Sequence, residues 1–159
     1  MNAKINELLG EIEKCRGHLD RLDKLFRQAT ADLDEGNRTL EKAVFLSEIF
    51  VNYYTCLETM FFRISQFFEN SLSQQSWHSD LLRKMCLRIP EIREPVISER
   101  IYSLLDELRK FRHFKRYYYS LDYDWDRLDY LAKTFEKLRR GLPSDIEKFT
   151  RFLERLRRK

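Results

Sequence analysis

Glycine and proline are scarce in this chain of 159 residues, which contains four of the first and three of the second. An all-β domain needs turn residues about every 8–12 positions, so their scarcity excludes that class and favours a helical one. No stretch reaches the roughly 20 consecutive apolar residues of a membrane span. The amino-terminal segment is amphipathic and lacks the apolar region of a secretory signal. We therefore expect a cytoplasmic protein that does not associate with membranes.

Cysteine is also scarce, and the three cysteines, Cys15, Cys56 and Cys86, lie far apart in the sequence without a CxxC pair. Their odd number and spacing fit neither a disulfide framework nor a zinc site. We interpret them as reduced, small apolar residues. The sequence has no Walker loop, GxGxxG motif or HExxH motif either. It therefore predicts no metal site and no cofactor.

What the chain does contain is a balanced mixture of apolar and charged residues, with 43% apolar and 35% charged positions. This composition is typical of a folded, amphipathic chain rather than a disordered one. The length suits one domain whose core needs no disulfide or metal, so we predict a single domain over residues 1–159. The net charge of +4 is modest. Binding of nucleic acid would therefore depend on a local basic patch.

Apolar residues recur at alternating steps of three and four, the spacing of one helix face. This spacing predicts two long helices in the first half of the chain, separated by the turn-forming segment at 34–38. The predicted apolar faces are Ile5, Leu8, Ile12, Cys15, Leu19, Leu22, Phe26, Ala29 and Leu33, and then Ala43, Leu46, Phe50, Tyr53, Leu57, Met60, Ile64 and Phe67. The second helix carries additional apolar residues on its flank, so we expect it to lie centrally.

Apolar spacing and capping residues predict further helices in the second half of the chain. A polar loop over 70–76 precedes a short helix over 80–87, and a third long helix runs from its N-cap Ser98 to about Tyr119. Asp124 can cap a last helix, whose apolar spacing continues to the carboxyl end of the chain.

Gly141 and Pro143 interrupt this last helix, and Ser144 with Glu147 could form a capping box for a restart. Because the apolar spacing continues beyond them, a kink and a full turn both fit. We predict an all-α, up-and-down bundle of four to five helices.

The third long helix carries a basic segment with no acid inside it. Its five cationic residues are Arg109, Lys110, Arg112, Lys115 and Arg116. Three tyrosines follow, and such mixing of basic and aromatic residues suits phosphate contact and base stacking. The alternative is that a basic helix next to the acidic segment at 121–126 forms a salt-bridged bundle surface, which is the more common arrangement for such a composition.

Arg112 falls at the edge of the apolar face of this helix, so it needs either a carboxylate partner or a bound anion. Glu58, Arg63 and Asp80 could pair with the arginines of the helix. We expect solvated positions for all three.

The segment RHFKRYYY at 112–119 resembles the signature of the HEPN superfamily, and specifically of HepT-like ribonuclease toxins. In that motif an Arg and a polar residue are followed, after three residues, by His, one residue and Tyr. Arg112 and His113 occupy the first two positions, Tyr117 stands where the family has His, and Tyr119 is the final Tyr. The segments at 75–85, 88–100 and 121–138 are also similar to HepT-like proteins, so the resemblance covers most of the chain.

The resemblance implies metal-independent cleavage of RNA at a site formed across a two-fold homodimer. In the family, the Arg holds the scissile phosphate and the His assists proton transfer, and here Arg109 and Arg116 would add contacts to the RNA. A tyrosine hydroxyl ordinarily has a pKa of about 10, so a tyrosine at this position is a poor general base at neutral pH. The substitution therefore implies reduced or lost cleavage, unless His113 or His78 compensates.

The resemblance also implies a partner and a modification. In HepT-like toxins the final Tyr is modified with AMP by a cognate minimal nucleotidyltransferase antitoxin, so Tyr119 is the candidate here. The alternative for Tyr119 is a side chain packed at the edge of the core with its hydroxyl exposed, and the two are compatible.

Three functions remain open from the sequence. The first is the ribonuclease toxin of a prokaryotic toxin–antitoxin pair. The second is a non-catalytic interaction module that binds a nucleotidyltransferase or RNA. The third is a protein that binds nucleic acid without cutting it, with an affinity that falls steeply with salt.

Overall fold

The structure, a computed structural model, describes residues 2–69 and 77–158, and the side chains of these residues except 77–79. The loop predicted over 70–76 and the side chain of His78 lie outside this description. The described residues form the helices α1 (Asn2–Thr30), α2 (Leu40–Phe68), α3 (Trp77–Met85), α4 (Glu99–Lys115) and α5 (Trp125–Arg157), with a short 3₁₀ turn at Tyr118–Ser120. The predicted all-α helical bundle is confirmed. None of the described helices is long and apolar enough to cross a membrane.

Helix α2 lies at the centre of the bundle and contacts α1, α3, α4 and α5, as its wide apolar face predicts. The predicted faces of the long helices are largely buried. Five aromatic rings from these helices meet in the core: Phe26, Phe50, Tyr53, Phe111 and Phe135. The ring of Phe135 lies 4.5 Å from that of Phe26 and 4.7 Å from that of Tyr53, measured between centroids. This cluster joins α1, α2, α4 and α5 around one core.

The predicted end of the third long helix near Tyr119 is wrong, because α4 ends at Lys115. The amide N–H of Tyr117 donates to the carbonyl of Phe114, which tightens the chain into a turn. Tyr118 then packs against Phe111 and Tyr123. This inward packing turns the chain away from the helix axis at a point where the sequence contains no Gly or Pro.

In the last helix, the structure decides between the two alternatives that the sequence left open at Gly141 and Pro143. Helix α5 is continuous through Pro143, so the chain makes no full turn there and the possible restart at a capping box does not occur. Glu147 pairs instead with Arg16 and Arg151. Pro143 is exposed while the apolar residues on both sides of it stay buried, so packing against the bundle offsets the hydrogen bond that proline removes. Helix α3 also differs slightly, since it spans Trp77–Met85 rather than 80–87.

The irregular segment between α3 and α4 is anchored by the buried side chain of Arg93. Its guanidinium donates to Glu69 at the end of α2, at 2.9 and 2.7 Å. It also donates to the carbonyls of Lys84, at 2.8 Å, and Leu87, at 3.1 Å. Arg93 therefore anchors this segment to the ends of α2 and α3.

Candidate active site at the end of α4

Arg112, near the carboxyl end of α4, is held against α2 by Glu58. Its two terminal nitrogens, Nη1 and Nη2, donate to the two carboxylate oxygens at 2.9 and 2.8 Å. Nη1 also lies 3.3 Å from the hydroxyl of Thr55, and the guanidinium carbon lies 4.7 Å from the ring centroid of Tyr54. The Glu58 side chain is only 9% exposed and that of Arg112 is 21% exposed. The pair therefore fixes one arginine at the rim of the core.

This geometry answers the question that the sequence left open for Arg112. The arginine has a carboxylate partner, so the expectation that Glu58 is solvated is wrong. The forked guanidinium and the carboxylate match in shape, which makes the position of Arg112 well defined. Asp80 and Arg63 were also expected to be solvated, and both are exposed in the structure.

Three of the other cationic residues of α4 also pair with acids. Arg109 donates to Asp106 at 2.7 Å, Lys110 lies 3.2 Å from the same carboxyl group, and Lys115 pairs with Glu48 of α2. The pKa of Lys110 is raised by its hydrogen bond to Asp106. Much of the basic segment is thus a salt-bridged surface. The partners lie on α4 itself and on α2, however, and not in the acidic segment at 121–126.

Arg116 behaves differently from these residues and belongs to an exposed cluster with His113 and Tyr117. Within the described part of the chain, Arg116 makes no ion pair. Its Nη2 lies 3.1 Å from Nδ1 of His113, and its guanidinium carbon lies 5.3 Å from the ring centroid of Tyr117. The rings of His113 and Tyr117 are 6.4 Å apart between centroids. This cluster presents one positive charge, one imidazole and one phenol to solvent.

Tyr119 extends furthest into solvent, with 88% of its surface exposed. The alternative of a side chain packed at the edge of the core is therefore wrong for this residue. Its neighbour Tyr118 occupies that inward position instead. The Tyr119 side chain therefore faces solvent.

The amino-acid sequence of the chain was compared with the models of known protein families, and one family matches. The family described as HepT-like protein matches residues 45–153, which include most of α2, all of α4 and most of α5. The chain belongs to the HepT-like family. Searches of curated proteins and of solved structures found no match.

The HepT-like match contains both partners of the Arg112–Glu58 pair and the exposed tyrosines. The structure divides the predicted site residues of this HepT-like chain into two groups. The contacts described above for Arg112 are with α2, whereas His113, Arg116 and Tyr117 contact one another on the outer surface. Because α4 ends between Arg112 and Tyr117, the two motif positions do not lie on one continuous helix.

The sequence offered Glu58 as a possible partner of the arginines, but Tyr54 and Thr55 of α2 were not predicted to be part of this site. Tyr54, Thr55 and Glu58 lie within one turn of α2 and all contact Arg112. Burial raises the pKa of Tyr54, and the negative charge of Glu58 raises it further while Arg112 opposes that shift. Tyr54 therefore keeps its proton at neutral pH. An acid inside an otherwise apolar stretch was the signal available in the sequence.

The described residues contain no cluster of three or more His, Cys, Asp or Glu side chains that could hold a metal ion. What they do offer at the end of α4 is a fixed arginine, a second arginine free of carboxylate partners, an imidazole and two exposed phenols. These groups suit binding of a phosphate and exchange of a proton.

Proposed function

We propose that this HepT-like chain is the toxin of a prokaryotic toxin–antitoxin pair, a metal-independent endoribonuclease that acts slowly, as a homodimer, and is controlled by a minimal nucleotidyltransferase antitoxin. Membership of the HepT-like family supports the proposal. The observation that carries it is that the motif arginine, Arg112, is held in a fixed position by two hydrogen bonds to Glu58. The exposed side chains of His113 and Arg116 follow it in the chain.

The roles follow from the chemistry of each group. Arg112 binds the scissile phosphate with the part of its guanidinium that remains exposed, and its permanent charge stabilises the negative charge that develops during cleavage. Arg109 and Arg116 contact neighbouring phosphates of the RNA. His113 exchanges the proton, and Tyr117 donates a hydrogen bond but is a weak base at neutral pH. We expect slow cleavage because a tyrosine, Tyr117, stands at the motif position of the histidine.

A second candidate function is a non-catalytic module that binds the nucleotidyltransferase or RNA. Two observations favour it: the motif histidine is Tyr117, and Glu58 already balances the charge of Arg112. The module and the toxin differ in a single property, which is cleavage.

The cleavage assay uses total tRNA, the purified full chain and EDTA. We expect slow cleavage by the natural protein, and a loss of about 10²–10³-fold in Arg112→Ala because the phosphate loses its main cation. Arg139→Ala is the matched control, since Arg139 also forms a bidentate pair with a carboxylate, that of Glu136, and is 20% exposed. It should cleave at the natural rate. Equal rates for the natural protein and Arg112→Ala would refute the assigned role, and no cleavage by the natural protein would leave the module as the function.

The modification is tested by incubating the chain with ATP and the nucleotidyltransferase encoded beside it. We expect a mass increase of one AMP on Tyr119, whose hydroxyl oxygen attacks the α-phosphorus while pyrophosphate leaves. Tyr119→Phe should remove the increase completely, because it lacks the oxygen. Tyr118→Phe is the control, since Tyr118 packs inward and should be dispensable. AMP on another residue, or none, would contradict the proposed modification.

A further inference from the structure

Two of the three cysteines meet in the folded chain, although 41 positions separate them in the sequence. The Sγ atoms of Cys15 in α1 and Cys56 in α2 lie 3.1 Å apart. Each sulfur also approaches the backbone carbonyl of the other residue, at 3.7 and 3.8 Å. The interpretation of the cysteines as separate apolar residues is therefore incomplete, because the crossing of α1 and α2 places two thiols in direct contact.

The pair lines a groove of about 610 Å³ between α1 and α2. Cys15 is buried, whereas Cys56 is half-buried, and exposed side chains form the rim of the groove. The groove is lined by four basic residues, Lys14, His18, Arg21 and Arg63, and by one acid, Glu11. A small polar oxidant can therefore reach the sulfur of Cys56 from solvent.

We propose that Cys15 and Cys56 are a redox-active pair that a peroxide converts into a disulfide joining α1 to α2. A disulfide bond is about 2.05 Å long, so the two sulfurs need to approach by about 1 Å. Cys86 is not part of the pair, since its thiol contacts the carbonyl of Arg83 near the end of α3.

The two thiols have different chemical characters. The hydrogen bond from the Cys15 thiol lowers the pKa of Cys56 and raises the pKa of Cys15. The thiolate is the nucleophilic form of cysteine, so Cys56 reacts first and Cys15 closes the bond.

The reaction balances with one peroxide for each pair. The Cys56 thiolate attacks one oxygen of hydrogen peroxide, the O–O bond breaks, and the leaving hydroxide takes up a proton as water. The sulfenic acid on Cys56 is then attacked by the sulfur of Cys15, whose proton leaves with the hydroxide as a second water. Two thiols are oxidised to one disulfide, and one peroxide is reduced to two waters.

The disulfide would join a segment outside the HepT-like match to a helix inside it. Helix α1 and Cys15 precede residue 45, whereas Cys56 lies inside the match and adjoins Thr55, which contacts Arg112. Oxidation would therefore attach α1 covalently to the helix that positions Arg112. The proposal does not depend on cleavage of RNA, because it concerns the thiols alone.

The test is performed on the full natural chain. The protein is treated with hydrogen peroxide, unfolded in N-ethylmaleimide, and examined by intact mass and peptide mapping. We expect a loss of two hydrogens, one maleimide label instead of three, and a linked pair of peptides that contains Cys15 and Cys56. Because the closed loop is about 40 residues long, the Tm should rise by about 5–10 °C and return after treatment with dithiothreitol.

Serine substitutions provide the controls. Cys86→Ser should still close the bond, whereas Cys56→Ser should keep its two labels after peroxide. Three labels on the oxidised natural chain would overturn the proposal, as would over-oxidation of Cys56 without a link to Cys15. Disulfides between two chains in place of the internal one would also overturn it. Because labelling is done on the unfolded chain, burial of Cys15 does not affect these results.

Discussion

We expect Tyr117→His to cleave RNA about 10²–10⁴ times faster than the natural protein, the range that a well-placed general acid or base supplies. Tyr117 stands at the motif position of the histidine, is 59% exposed, and lies beside His113 and Arg116. A histidine fits there without repacking the core, because the side chain faces solvent. Its pKa near neutrality lets it exchange a proton at pH 7, which a phenol with a pKa of about 10 does poorly.

The measurement is the tRNA assay in EDTA, repeated from pH 5 to pH 8. The gained rate should change with pH near 6.5, the ordinary pKa of histidine. Tyr130→His is a matched control, because Tyr130 is 49% exposed and has Arg127 over its ring at 5.5 Å, much as Arg116 lies over Tyr117. Equal rates for the two variants would show that position 117 is not where the proton moves. Adding Arg112→Ala to Tyr117→His should remove the gain.

The second large effect concerns stability. We expect Glu58→Ala to lower the free energy of unfolding by about 3 kcal/mol, because it leaves the guanidinium of Arg112 at the rim of the core without its carboxylate. Urea unfolding of the natural chain and the variant measures the difference. Glu48→Ala is the control, since Glu48 pairs with Lys115 but is 51% exposed. An exposed pair contributes about 0.2–1 kcal/mol, so this variant should remain close to the natural stability.

The double variant Glu58→Ala with Arg112→Ala distinguishes an ion pair from general packing. Removing both partners removes an interaction that each single variant already breaks, so the double variant should lose less free energy of unfolding than the two single variants together. Additive losses would show that Glu58 and Arg112 stabilise the bundle independently. A loss below about 0.5 kcal/mol in Glu58→Ala would show that Arg112 does not depend on Glu58.

Local sequence pattern predicted the parts of the fold that depend on periodic burial. The apolar residues of α1, α2, α4 and α5 recur at helix spacing, and most of them are buried. Burial of one helix face stabilises a helix wherever its apolar stripe meets a partner, so the spacing alone indicates both the helix and its inner side. The wide stripe of α2 predicted its central place for the same reason.

The ends of helices followed tertiary contacts instead. Tyr118 packs inward and ends α4 early, whereas burial on both sides of Pro143 carries α5 through a residue that ordinarily interrupts a helix. Helix propensity differs by well under 1 kcal/mol between most residues, so a few contacts with neighbouring helices decide such boundaries.

By itself the sequence determined the all-α class, the buried helix faces and membership of the HepT-like family, through spacing and a motif read along one chain. Only the tertiary structure decided which side chains meet across helices. It paired Arg112 with Glu58, brought Cys15 to Cys56, and turned Tyr119 outward while Tyr118 packed inward. The first two contacts join residues on different helices, so they depend on how α1, α2 and α4 cross one another. The orientation of the two tyrosines depends on how the turn after α4 packs. That crossing is set by the packing of the whole core.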